Sequence, residues 1–332
     1  MSKRASWELV PPADACFAGD PNRKIDPYLF SAEAVTALRV ALVTQRPLLV
    51  AGLPGCGKTC LAEALAAEIG WTFLCETITS RTRLEKLTVE VDHLSRLHDA
   101  QRAAAIGGAC ALKADEAYYR PGVFWWALDR DSASRHNLSA DDARQCGICD
   151  VFPGIDRTRK APPHGTVLLI DENDKAEPDL PNDLLEPLDR RRFRLPNGKD
   201  VSASPEHELL TVITTNRERE LPQAFLRRCV SLVLDEPTPD RLVAIARKHY
   251  ADANLGRVEA LAAKMTGFRA KAREMGRRPP GTSEFLDAVR ACEALDVRIS
   301  ADDPVWRQVE RAVLLTPGEP ESATKADSES AA

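Results

Sequence analysis

The chain has 332 residues, 44% of them hydrophobic and 29% charged, with a net charge of -5. This is the composition of a soluble globular protein with a substantial core, and it gives no global electrostatic reason to expect nucleic acid as a partner. No uninterrupted apolar run approaches the ~18 residues of a membrane span and the basic start lacks a signal peptide's apolar segment, so a cytoplasmic protein with no membrane partner is expected.

Nine cysteines, an odd number scattered through helical and strand-like stretches, read as small buried residues in a reducing compartment. Cys146 and Cys149 form a C-x-x-C pair, but a zinc site needs two more ligands and the neighbourhood offers only His136.

In chain order, an irregular proline-containing segment covers residues 1–20, and an amphipathic helix is expected over Ser31 to Gln45. A short apolar run, Arg46 to Ala51, is suited to a buried parallel strand. It is followed by GLPGCGKT at residues 52–59 and by a helical pattern from Cys60 that ends at Gly70. Further strands are expected at 71–77, 165–170, 209–215 and 230–234. Strands separated by helical segments give an α/β fold: a five-stranded parallel sheet with helices on both faces, occupying 21–235.

The long stretch of about 77–164 exceeds any simple crossover and reads as an insert. Within it Leu84, Leu87, Val91, Leu94 and Leu97 recur at three- and four-residue spacing, which predicts one helix with a single buried stripe. Trp125 and Trp126 read as packing residues. Asn197-Gly198 between short alternating stretches signals a hairpin at about 190–204. From 236 to 315 helical patterns dominate, with Asp303 and Pro304 as N-cap and first helical residue, giving a small all-helical lid domain. The tail, 316–332, lacks large apolar residues and is expected to be disordered.

The GLPGCGKT stretch carries the chemistry. Glycines let successive backbone N-H groups curl around an anion, Lys58 then reaches the β- and γ-phosphates, and Thr59 places a hydroxyl on Mg²⁺ at a helix N-terminus. Gly52, Gly57, Lys58 and Thr59 fill the P-loop pattern, and strand, loop and helix follow in the order it demands. The expected nucleotide contacts are Gly52, Pro54, Gly55, Cys56, Gly57, Lys58, Thr59 and Cys60. Asp171 and Glu172 leave a predicted strand at its C-terminal end, where open α/β sheets keep their crevice. Asp171 would join Thr59 in holding Mg²⁺, and Glu172 would polarise the attacking water. Asn216 ends the next strand in the same rim. Arg227 and Arg228 precede the last strand, where an arginine could reach a neighbouring subunit's γ-phosphate.

GLPGCGKT, VLLIDE, TTN and LPQAFLRRC, in this order and followed by a helical domain, resemble Walker A, Walker B, sensor 1 and the arginine-finger segment of AAA+ ATPases. RPLLVAGLPGCGKTCLAEALA and LLIDENDKAEPDLPNDLLEPLDRRRF are similar in cast to the MoxR-like group. The resemblance implies ATP and Mg²⁺ as cofactors, Glu172 as catalytic base, Asn216 as sensor 1, and Arg228 at the finger position. It also implies a hexameric homo-oligomer that remodels a protein client, paired with a von Willebrand factor A-domain protein. Two departures stand out: Arg227 replaces the acidic residue usual before the finger, leaving the finger between Arg227 and Arg228, and Glu284 occupies the position expected for the sensor 2 arginine. Arg277 or Arg278 would have to substitute there, or sensor 2 is absent. Alternative readings are a nucleotide-controlled assembly switch in signalling or defence, and a nucleic-acid motor using the basic run Asp189 to Arg194.

Overall fold

The computed structural model describes residues 5–105, 113–154, 165–204, 207–300 and 302–315. Two compact units divide it: one comprises the described residues up to Leu53 together with Lys58–Leu234, the other Pro54–Gly57 together with those from Asp235 onward.

The first unit is built on five parallel strands, β1 (Leu48–Ala51), β2 (Thr72–Thr77), β3 (Gly165–Asp171), β4 (Glu208–Thr215) and β5 (Val230–Val233). Their order across the sheet is β5-β1-β4-β3-β2. The interior strands β1 and β3 are near-continuous apolar runs because both faces are covered, whereas the edge strands β2 and β5 keep exposed positions. Leu48 and Val50 of β1 with Val167 and Leu169 of β3 pack on one side with helices α1 (Ala32–Thr44) and α2 (Lys58–Ile69). Leu49, Leu168 and Ile170 pack on the other, against helix α3 (Val123–Leu128), whose Trp125 and Trp126 are buried core residues. Trp125 also donates its ring N-H to Ser132 Oγ at 2.7 Å and meets Phe193 edge-on.

The register fixes the rim of the sheet. Thr215 lies opposite Ala51, and Ile213 opposite Ile170, so the residues that follow β1, β3 and β4 leave the sheet at one end.

The insert departs from the expected single helix. Residues Leu84–Leu87 form one helical turn, Val89–Val91 form a strand paired antiparallel with Tyr119–Pro121, and a new helix runs from His93 to Ala105. Leu87 is buried, but Leu94 and Leu97 are exposed. The leucine spacing bridged two separate elements; the β-branched Val89 and Val91 favour extended backbone, and a partner strand about thirty residues away supplies the hydrogen bonds. The N-terminal segment is also less irregular than expected, since Cys16–Phe17 pairs with Tyr28–Leu29. Arg192–Arg194 and Asp200–Ser202 pair as a hairpin. The 316–332 tail lies outside the described residues.

The second unit contains helices α4 (Pro239–His249), α5 (Leu255–Glu274), α6 (Thr282–Ala294) and α7 (Pro304–Val309), closed around Leu242, Leu261, Met265, Phe285 and Trp306. Asp303 caps α7 by accepting from Val305 and Trp306 backbone N-H groups, with Pro304 at the first helical position.

Candidate nucleotide-binding site

The loop between β1 and α2 is a tight bend made possible by glycine. Gly55 and Gly57 have φ of 78° and 92°, in the region that a Cβ disfavours. Lys58, at the first position of α2, is buried, and its three N-H groups all go to the chain: Gly52 O at 3.0 Å, Leu53 O at 3.1 Å and Asn216 Oδ1 at 2.7 Å. None of these partners carries charge. Among the described residues no carboxylate lies within ion-pair distance of Lys58, so its positive charge is balanced only by carbonyl dipoles and stands ready for an anion.

Beside it, Thr59 Oγ1 donates to Asp171 Oδ2 at 3.1 Å, which brings together the hydroxyl and carboxylate expected to hold Mg²⁺. Thr214, fully buried near the end of β4, donates to the other Asp171 oxygen and accepts the Glu172 backbone N-H at 2.8 Å. Glu172 itself has left-handed backbone, with φ of 59°, as the chain turns sharply out of β3. Its Oε2 accepts from Lys175 Nζ at 2.7 Å, and that bond pushes the Lys175 ammonium's pKa above its usual value.

Asn216 reaches Lys58 because its own turn is tied to the turn after β3. Asp174 Oδ2 accepts from the backbone N-H groups of Asn216 and Glu218, each at 3.0 Å, and Arg219 Nη1 donates to Ala176 O at 3.0 Å. Cys56 is half-buried. Burial, reinforced by Asp26 and Glu63, pushes the Cys60 thiol up to about 11, so it contributes no thiolate at the phosphate loop.

Pro54–Gly57 group with the helical unit, where Gly55 O accepts from the Thr282 and Ser283 backbone N-H groups at 3.1 and 3.2 Å and from Ser283 Oγ at 3.3 Å. Glu284, at the position where resemblance expects an arginine, is paired with Arg278 and accepts the Gly281 N-H at 3.0 Å.

The two candidate finger arginines are far from this rim. They precede β5, whose first residue Val230 lies opposite Leu48 at the start of β1, while the phosphate loop follows the end of β1. Arg228 is held by Asp189 and by Ala224 O at 2.9 Å. Arg227 is exposed and makes no side-chain hydrogen bond or ion pair with another described residue. Arg46 gathers the carbonyls of this segment, donating to Arg227, Arg228 and Cys229 oxygens.

Sequence reading passed over Thr214, Asp174, Lys175 and Arg46. Thr214 was hidden in an apolar strand pattern. Asp174 had a signal, a second aspartate three residues after Asp171 in IDEND. A cavity of 680 Å³ in the insert, walled by His98, Tyr118 and His136 among others, includes none of the phosphate-loop residues.

A parallel sheet with a glycine loop at one strand end, a buried lysine, and a hydroxyl-carboxylate pair beside it defines a P-loop nucleotide-binding fold. The sequence over residues 47–229 matches the model of the AAA domain (dynein-related subfamily), and the chain belongs to that family. Two solved structures of RuvB variants from Thermotoga maritima are similar to it, at 16% and 15% identity. Each match covers 92% of this chain and 72% or 73% of the RuvB chain, with a TM-score of 0.43. No curated protein matches the chain.

The family implies use of a nucleotide and Mg²⁺, and the residues fit both. Lys58 has no anionic partner among the described residues, and Thr59 with Asp171 presents oxygen donors of the kind Mg²⁺ takes.

Proposed function

We propose that the protein is an ATP hydrolase whose active sites are completed between copies of the chain, of the MoxR-like kind within the AAA+ proteins. The observation that carries this reading is the common rim: Lys58, Thr59, Asp171, Glu172 and Asn216 are gathered at one end of β1, β3 and β4. Lys58 holds the terminal phosphates and Asn216 follows it. Thr59 and Asp171 hold Mg²⁺, which would neutralise phosphate charge when bound. Glu172 is the base that orients and deprotonates water, after release from Lys175.

Arg227 and Arg228 serve a different copy's nucleotide. They stand at the opposite end of the β1–β5 pair from their own phosphate loop, with four strand residues intervening, about 13 Å at the usual rise. A homo-oligomeric ring, hexameric by resemblance, that remodels a protein client follows from this reading. A von Willebrand factor A-domain protein is the partner to look for. The basic run after Asp189 lends little to a nucleic-acid motor, because Arg191 donates to Leu209 O and Arg194 to Asp200.

One observation favours a second reading, the nucleotide-controlled assembly switch. The sensor 2 position is Glu284, itself tied to Arg278, so the usual arginine is replaced by a carboxylate.

The test is ATP turnover against protein concentration for wild type, Glu172→Gln, Arg227→Ala and Arg228→Ala. Specific activity should rise with concentration. Glu172→Gln should lose about 10²–10⁴-fold in turnover while still binding nucleotide, and at least one arginine variant about 10³-fold or more. Turnover that is absent at every concentration while nucleotide binds and assembly responds to it would favour the switch.

A further inference from the structure

We propose that Asp174 is a positioning residue that sets where the sensor 1 side chain, Asn216, stands relative to Lys58; the inference rests on the ATPase reading above. Asp174 belongs to the turn after β3, whereas Asn216 belongs to the turn after β4. One carboxylate oxygen of Asp174 accepts two backbone N-H groups, those of Asn216 and Glu218, on either side of Arg217. Arg217 has φ of 63°, a left-handed conformation that is strained for a non-glycine residue. The pair of bonds from Asp174 spans that residue and holds it there.

The consequence falls on the side chain next to it. With its backbone N-H pinned, Asn216 directs its amide oxygen to Lys58 Nζ at 2.7 Å, and Lys58 is the group that meets the terminal phosphates. Asp174 is 2% exposed, and its second oxygen has no hydrogen-bond partner among the described residues. A buried carboxylate with one unused oxygen is costly to keep if an apolar residue would serve. Its two bonds to the turn are what it supplies. The same turns are joined a second time by Arg219 and Ala176 O, so removing Asp174 loosens the Asn216 turn without detaching it.

Asp174 touches neither nucleotide nor water in this account and acts through Asn216. Asp174→Ala should therefore copy Asn216→Ala: turnover falls by about 10²-fold, the order of loss expected from an ångström of misplacement, while the Kd for ADP stays near wild type. The affinity advantage of a non-hydrolysable ATP analogue over ADP should shrink to the value found for Asn216→Ala. The double variant should be no worse than either single, because one effect runs through the other. Asp174→Asn, whose amide oxygen can accept both N-H groups, should restore most of the turnover.

Three results would overturn the inference: losses that multiply in the double variant, an unchanged analogue-to-ADP ratio accompanied by a fall in Tm, or no recovery in Asp174→Asn. A wild type that binds nucleotide without hydrolysing it would defeat the ATPase reading alone. The affinity ratio still decides the role of Asp174 in that case, and a wild type that does not distinguish analogue from ADP overturns it.

Discussion

Among the described residues each unit buries one long cation, and the two are treated differently. Lys58 in the sheet unit donates to Gly52 O, Leu53 O and Asn216 Oδ1, with no carboxylate in reach among the described residues. Arg269 in the helical unit donates to Pro237 O at 2.8 Å and Pro280 O at 3.2 Å, and it stands 3.6 Å from Glu236. Both are under a tenth exposed. An interior charge costs free energy unless a counter-charge and hydrogen bonds offset it. Arg269 has its counter-charge within its own unit and works as a structural tie. Lys58 lacks one, and that deficit marks the place where a phosphate belongs.

The largest expected effect tests this contrast directly. Lys58→Ala should lower nucleotide affinity and turnover by about 10²–10³-fold each, with Tm in the absence of nucleotide unchanged or raised. Arg269→Met should do the reverse, lowering stability by about 1–3 kcal/mol because the carbonyls of Pro237 and Pro280 lose their buried donor, while Glu236 keeps Arg273 at 2.6 Å. Equal Tm losses for Lys58→Ala and Arg269→Met would erase the distinction.

A smaller effect sharpens the electrostatics near the loop. Cys60 is pushed up to about 11 and Cys229 up to about 12, both first by burial. At pH 8 Cys60 should alkylate about 10²-fold and Cys229 about 10³-fold more slowly than an unperturbed, exposed thiol. Mass spectrometry of iodoacetamide-treated protein reads this site by site. Rapid labelling of Cys60 would mean that the positive field of Lys58 outweighs burial and the neighbouring Asp26 and Glu63.

The smallest effect lies in the helical unit. Asp303 accepts N-H bonds from Trp306, Val305 and Arg298, which hold its pKa below the usual carboxylate value, the Trp306 bond most strongly. A depressed folded pKa contributes stability above the unfolded value, near 3.9, and loses it as pH falls through the folded value. The wild type should therefore show an acid-side decline in Tm that is shallower in Asp303→Ala. Identical pH profiles would exclude this contribution.

Much of the molecule was legible in its residues. The interior strands Leu48–Ala51 and Gly165–Asp171 are apolar at most positions and buried along nearly their whole length because both sheet faces are covered. That pattern survives without knowledge of any partner strand. The phosphate loop was legible for the same reason: its glycines, lysine and threonine act within eight consecutive residues. The insert was misread because Leu84 to Leu97 satisfy helical spacing by coincidence. Val89–Val91 become a strand only by pairing with Tyr119–Pro121.

The sequence by itself determined which residues could bind phosphate and in what order the strands and helices run, since these depend on local backbone freedom and hydrophobic period. Tertiary structure decided which turns meet. The parallel register places Asn216 on Lys58, Thr214 on Asp171 and Asp174 beneath Asn216, across separations of 43 residues for Thr214 and Asp171 and 158 for Asn216 and Lys58. It also sends Arg227 and Arg228 to the far end of the sheet from their own loop. No local rule contains those distances; they arise from the order and register of parallel strands, which are set by packing the whole sheet.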